Sequence, residues 1–137
     1  MVSQVLIVMA AAIILTLGLI HLLYTFGGSK LHPRDPELAA RMSAASPVIS
    51  RETTMWKAWI GFNASHSFGA MLFGAIYGFL ALAHPGFLFE SAFLCIVGLV
   101  LLAGYVALGK VYWFSVPFRG IALAAVCYTA GLIIAWI

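Results

Sequence analysis

The feature that most constrains this chain is the recurrence of apolar stretches long enough to cross a bilayer. A transmembrane helix needs about 20 predominantly apolar residues, because the hydrocarbon core is about 30 Å thick and each residue advances about 1.5 Å. Four segments meet that demand: residues 2–26, closed by Gly27-Gly28; 55–83, closed by His84-Pro85-Gly86; 91–109; and 120–137. Between them lie a long polar loop over 27–54, a tight turn over 84–90 and a short loop over 110–119. A water-soluble alternative fails on composition. The 137 residues are 64% hydrophobic and 8% charged, against about 25% charged in a typical soluble domain. Helices that are apolar all round must be buried in protein or lipid. The expectation is an all-α, single-domain integral membrane four-helix bundle.

Charge gives this bundle a direction. Lys30, Arg34, Arg41 and Arg51 lie in the long loop, Lys57 starts the second span, and Lys110 and Arg119 bracket the third loop. These are all seven basic residues, and a four-span chain puts them on one face. The positive-inside rule makes that face cytoplasmic. Both termini and the 84–90 turn, with Glu90, are then expected on the opposite side. Trp56, Trp59, Tyr112, Trp113 and Trp136 fit interfacial aromatic belts. In this setting a formal net charge of +3 marks topology beside anionic headgroups and gives no reason to expect nucleic acid as a partner. The N-terminus has no basic n-region and its apolar run exceeds an h-region, so it reads as a retained helix rather than a signal peptide. Cys95 and Cys127 lie inside apolar spans without CxxC spacing and read as small buried hydrophobes.

The long loop carries local signals. Asp35-Pro36-Glu37 offers an N-cap, a proline at the first helical position and an acid in the first turn. A short helix through Leu38, Ala39, Arg41 and Met42 should follow, lying on the membrane surface and ending near Ser46-Pro47. Ser50 is expected to cap the second span, with Glu52 in its first turn.

Polar groups inside a bilayer are costly and therefore informative. The first span carries Thr16, His21, Tyr24 and Thr25; the second carries Asn63, Ser65, His66 and Ser67. Trp59, Asn63 and His66 share one helix face by their spacing, as do Gly18, His21 and Thr25. His21 and His66 lie roughly 9 and 16 Å from the cytoplasmic ends of two antiparallel neighbours, which brings them within reach of each other. Three readings stay open for the site His21, Tyr24, Asn63, His66 and Ser67. The histidines could ligate a haem b, as facing side chains do in bundles, although their depths differ by about a turn. The polar groups could line a pocket for a quinone or lipid headgroup, or a proton path. The plainest reading is interhelical hydrogen bonding that locks the first two helices. Spans three and four offer little polar lining beyond Tyr105, Tyr128 and Thr129, which weighs against a transporter.

Other chemistry finds little footing. His32 and His84 precede prolines and read as turn residues at the water interface. Asp35, Glu37 and Glu52, beside His32, match no metal spacing. No hydrolase elbow, P-loop, zincin or dinucleotide fingerprint is present. Small residues argue for packing: Gly74 and Gly78 form a GxxxG, and Gly120 and Ala124, then Cys127 and Gly131, repeat small-xxx-small.

The blocks Gly18-Leu19-Ile20-His21-Leu22-Leu23-Tyr24-Thr25-Phe26 and Met55-Trp56-Lys57-Ala58-Trp59-Ile60-Gly61-Phe62-Asn63-Ala64-Ser65-His66-Ser67 resemble those of a family of small, uncharacterised bacterial four-helix membrane proteins. The resemblance covers the first two spans and their loop, and it implies a bacterial inner-membrane location without an activity. The resulting expectation is a non-enzymatic accessory or structural subunit, packed against membrane lipids, a larger membrane complex or further copies of itself. The alternative is a haem, quinone or lipid-binding protein using His21, Asn63 and His66.

Overall fold

A computed structural model describes residues 1–137. It contains only helices: α1 (Val2–Phe26), α2 (Pro36–Ala44), α3 (Met55–Ala83), α4 (Pro85–Glu90), α5 (Ala92–Tyr112) and α6 (Ser115–Trp136). Of these, α1, α3, α5 and α6 are long and apolar enough to cross a membrane.

The ends of α1 and α3 fall where the sequence signals put them. After Phe26 the Gly27 amide donates to the Leu23 carbonyl at 2.6 Å, and Gly28 adopts φ +82°, a conformation glycine enters without a Cβ penalty. At the far end of α3, the His84 amide still reaches the Leu80 carbonyl at 2.9 Å. Pro85, which lacks an amide hydrogen, then starts a new helix.

Three boundaries differ from expectation. The tight turn over 84–90 is mostly the six-residue helix α4, begun by Pro85 at its first position. The 110–119 loop shrinks to Trp113 and Phe114, because α5 continues through Lys110 to Tyr112 and α6 begins at Ser115. A basic side chain does not stop a helix at a membrane interface, since its stem lies along apolar surface while its head reaches water. Pro117 falls in the first turn of α6, where a missing amide hydrogen removes no helical bond. Finally, Ser50 does not cap α3. Its hydroxyl accepts from the Glu52 amide at 3.1 Å in a local turn, whereas the Thr54 hydroxyl accepts from the Lys57 amide at 3.3 Å and supplies the cap.

The chain divides into two compact units, Gly18–Gly69 and the remainder, Met1–Leu17 with Ala70–Ile137. In the larger unit, α1, α3, α5 and α6 pack in a ring of neighbours. Gly74 of α3 lies so close to α1 that a Cβ there would stand 2.6 Å from the Leu15 Cβ and 2.7 Å from the Ala11 carbonyl oxygen. Gly131 of α6 faces Ile7 and the Ser3 carbonyl, and Gly120 faces Leu17. Between α5 and α6, Gly109 accommodates Phe118. The apolar core they enclose includes Ile7, Ile14, Phe73, Leu102 and Ala124. Two tyrosines tie α3 and α6 to the start of α5. The Tyr77 hydroxyl donates to the Leu94 carbonyl at 2.7 Å, and the Tyr128 hydroxyl to the Cys95 carbonyl at 3.3 Å. Each carbonyl has a second lone pair to offer beyond its helical bond. Phe73 stacks on Tyr77 at 4.5 Å between centroids, and Tyr77 meets Tyr128 edge-on at 5.6 Å. Gly98 leaves room for this, since a Cβ at that position would fall onto the Tyr128 hydroxyl.

The smaller unit contains the last turns of α1, the loop, α2 and the first half of α3. Asp35 caps α2 as expected, accepting from the Glu37 amide at 2.9 Å, and the helix ends at Ala44, before Ser46-Pro47. The loop is pinned at several points. The Trp59 indole donates to the Leu31 carbonyl at 3.1 Å, the His32 and Trp56 rings meet at 4.6 Å, and the Met55 amide donates to the Ala45 carbonyl at 2.8 Å.

Candidate functional site

The polar residues of the smaller unit converge. Asn63 is one turn beyond Trp59 on α3, and its side-chain amide donates to the Trp59 carbonyl at 2.8 Å. A carbonyl can only accept, so this bond fixes which way the amide points: Nδ2 faces its own helix and Oδ1 faces out. His21 of α1 meets that oxygen, with Nε2 and Oδ1 3.0 Å apart. The acceptor role of Oδ1 makes His21 Nε2 the donor, which assigns its proton. The Thr25 hydroxyl donates to the His21 carbonyl at 2.8 Å, and the Ser67 hydroxyl to the Asn63 carbonyl at 3.0 Å. The His66 ring stands edge-on to His21 at 5.3 Å between centroids and an 85° interplanar angle.

The structure thus brings His21, Asn63, His66 and Ser67 together. It sets Tyr24 apart: the residue is 42% exposed and its ring lies beneath the Lys30 ammonium, 5.6 Å from the centroid. Thr25 takes the inward position, buried to 5% exposure, and Trp59 joins through its carbonyl. Thr25 is four residues after His21 and Trp59 four before Asn63, each one helical turn from its polar neighbour.

The chemistry open to this arrangement is narrow. Neither the Asn63 amide nitrogen nor its oxygen exchanges a proton readily, so the His21–Asn63 contact positions two helices and does not relay protons. A haem held between two histidines needs their nitrogens on opposite faces of a macrocycle. Here the His21 and His66 rings touch each other and His21 Nε2 is committed to Asn63, so the pair does not fit that group. No set of three or more His, Cys, Asp or Glu side chains is placed to hold a metal ion. Two surface depressions are present, one along Ala125, Val126, Thr129, Ala130 and Ile133 of α6 and one along Ala12, Ile13, Thr16 and Leu17 of α1. Each is a furrow on the outside of a single helix.

The remaining packing positions behave differently from one another. Gly74 is a close backbone approach, whereas a Cβ at Gly78 would meet the Ala11 Cβ at an ordinary 3.5 Å. At Gly120 the nearest atom is the mobile end of Leu17, 3.0 Å away, and Ala124 is buried in the core.

Comparison with protein-family models, curated proteins and solved structures finds no match to this chain.

Proposed function

We propose that this protein is a non-catalytic, multi-pass accessory subunit of the bacterial inner membrane, acting as a packed helical body against lipid and a larger membrane complex. The observation that carries this reading is where the buried polar capacity goes. His21, Thr25, Asn63 and Ser67 bond to one another or to the backbone, and no buried side-chain nitrogen or oxygen lacks a partner. A group spent on joining helices is not held ready for a substrate. The outer surface is broadly apolar, with Phe62, Phe68, Leu72, Phe93, Val100 and Val126 all exposed.

The orientation follows from charge. The long loop, with Lys30, Arg34, Arg41 and Arg51, faces the cytoplasm by the positive-inside rule, and both ends of the chain face away from it. The deciding experiment is extraction of the untagged protein from its native membrane in mild detergent, followed by sizing and identification of co-migrating chains. Migration with a stoichiometric larger assembly is the expected result. Migration alone, at the size of one chain plus its micelle, would overturn the subunit reading.

A further inference from the structure

The loop between α2 and α3 breaks a local rule. The Ser50 amide donates to the Pro47 carbonyl at 3.2 Å, which makes Pro47–Ser50 a β-turn with Val48 and Ile49 at its two corners. Turn corners favour Gly, Asn, Asp, Ser and Pro, residues that suit the backbone and stay in water. Here both corners are β-branched and apolar, and both are almost fully exposed, Val48 at 109% and Ile49 at 94%. The turn is not a loose tip. Its base is closed by the Met55 amide on the Ala45 carbonyl at 2.8 Å, and its descending limb by the Glu52 amide on the Ser50 hydroxyl. Departures from local sequence logic tend to mark functional positions.

Two observations point to lipid as what covers the tip. First, the loop is tethered at both ends to membrane-spanning helices. With 29 residues, α3 is roughly 43 Å long against a hydrocarbon core of about 30 Å. Trp56, Lys57 and Trp59 in its first turns are side chains that anchor at the headgroup zone, and the turn ends at Ser50, six residues before Trp56. Second, the surroundings are basic. Lys30, Arg34, Arg41, Arg51 and Lys57 face Asp35, Glu37 and Glu52 as the acids of the same segment, five charges against three. An apolar point flanked by excess positive charge is complementary to an anionic bilayer surface, which offers acyl chains below and phosphates above.

We propose that residues 45–55 form a rigid lipid wedge, with Val48 and Ile49 inserted below the headgroups and Arg41 and Arg51 on the phosphates of anionic phospholipid. The wedge is independent of the accessory-subunit reading and needs only that α1 and α3 span the membrane. Val and Ile contribute apolar area to the bilayer, and the closed base spares the ordering cost that a flexible loop would meet on insertion.

The test uses the full chain in vesicles, spin-labelled at Val48→Cys, Ile49→Cys or, as a water-facing reference, Glu37→Cys. The native Cys95 and Cys127 are buried, and labelling of the unsubstituted chain sets the background. In vesicles of phosphatidylcholine with phosphatidylglycerol, the ratio of oxygen to nickel-chelate collision rates should be severalfold higher at positions 48 and 49 than at 37. Joint replacement Arg41→Gln and Arg51→Gln should lower that ratio in these vesicles and leave it unchanged in pure phosphatidylcholine. Water-like ratios at 48 and 49 would overturn the wedge. So would immobilised labels shielded from both reagents, which would show a protein surface or a second copy covering the tip. Insensitivity of the depth to anionic lipid would overturn the role of the two arginines.

Discussion

The segment Gly18–Gly69 and the rest of the chain meet the same physical problem, that of joining helices where lipid supplies no hydrophobic drive, and they meet it differently. The larger unit holds every residue of the apolar core cluster. It achieves cohesion by close backbone approach at glycines and by tyrosines that donate to carbonyls. The smaller unit holds all three buried polar residues, Thr25, Asn63 and Ser67, and joins α1 to α3 by a side-chain bond. The difference teaches that polarity within a span need not mark a site of chemistry. In membranes, interhelical hydrogen bonds and small-residue packing are alternative ways of holding helices together.

That contrast can be broken most sharply at the glycines. Gly74→Ala and Gly98→Ala should each lose about 2–3 kcal/mol or more, because their neighbours are backbone or a tyrosine already fixed in place. Gly78→Ala, one turn further along α3, should stay within about 0.5 kcal/mol. Unfolding of the detergent-solubilised protein by a denaturing detergent would measure all three. Equal losses at 74 and 78 would mean that close approach is not what the larger unit depends on.

In the smaller unit, His21→Ala should cost about 1–3 kcal/mol, since it strands the Asn63 oxygen inside the helix pair. A double-mutant cycle with Asn63→Ala should return a coupling of about 0.6–1.7 kcal/mol. A coupling near zero would erase the distinction between the two units. Smaller still are the tyrosines. Tyr77→Phe should cost about 1 kcal/mol and Tyr128→Phe less, because the latter's bond is longer, 3.3 against 2.7 Å. The smallest effect tests the start of α3. Thr54→Ala should lose about 0.5–1 kcal/mol and Ser50→Ala close to nothing, read by thermal unfolding, if Thr54 is the cap.

The sequence spoke clearly wherever a physical signal was local. Gly28 ends α1 because its positive φ suits glycine, and Pro85 ends α3 because it has no amide hydrogen to continue the ladder. Asp35-Pro36 starts α2 because the Asp35 carboxylate caps the Glu37 amide and proline suits the first helical position. Helical spacing put Asn63 and His66 on one face of α3 and His21 within reach on α1, but it left open the rotation that turns them toward each other. It was not enough to choose between Tyr24 and Thr25, whose directions from His21 differ by one residue, about 100° around the helix. The ends of α5 and α6 were obscured by Lys110 and Arg119, because charge marks an interface and not a helix end. The tyrosine cluster was least legible. Its acceptors are backbone carbonyls, which carry no sequence signature. The one available hint was the pairing of small residues at Cys95 and Gly98 with bulky Tyr77 and Tyr128 on neighbouring helices.

The ring of helices in the larger unit also sets an order of events in time. The connection between α5 and α6 is only Trp113 and Phe114, so these two helices are neighbours as soon as both are made. The face of α1 carrying Ile7 and Ile14 is made more than 100 residues before its partner surface around Gly131. At about 5–20 residues per second, α1 must wait several seconds in lipid, or beside the insertion machinery, before that face is covered. Slowing synthesis between α3 and α6 would lengthen the wait, and a membrane protease acting during that interval would meet α1 unaccompanied.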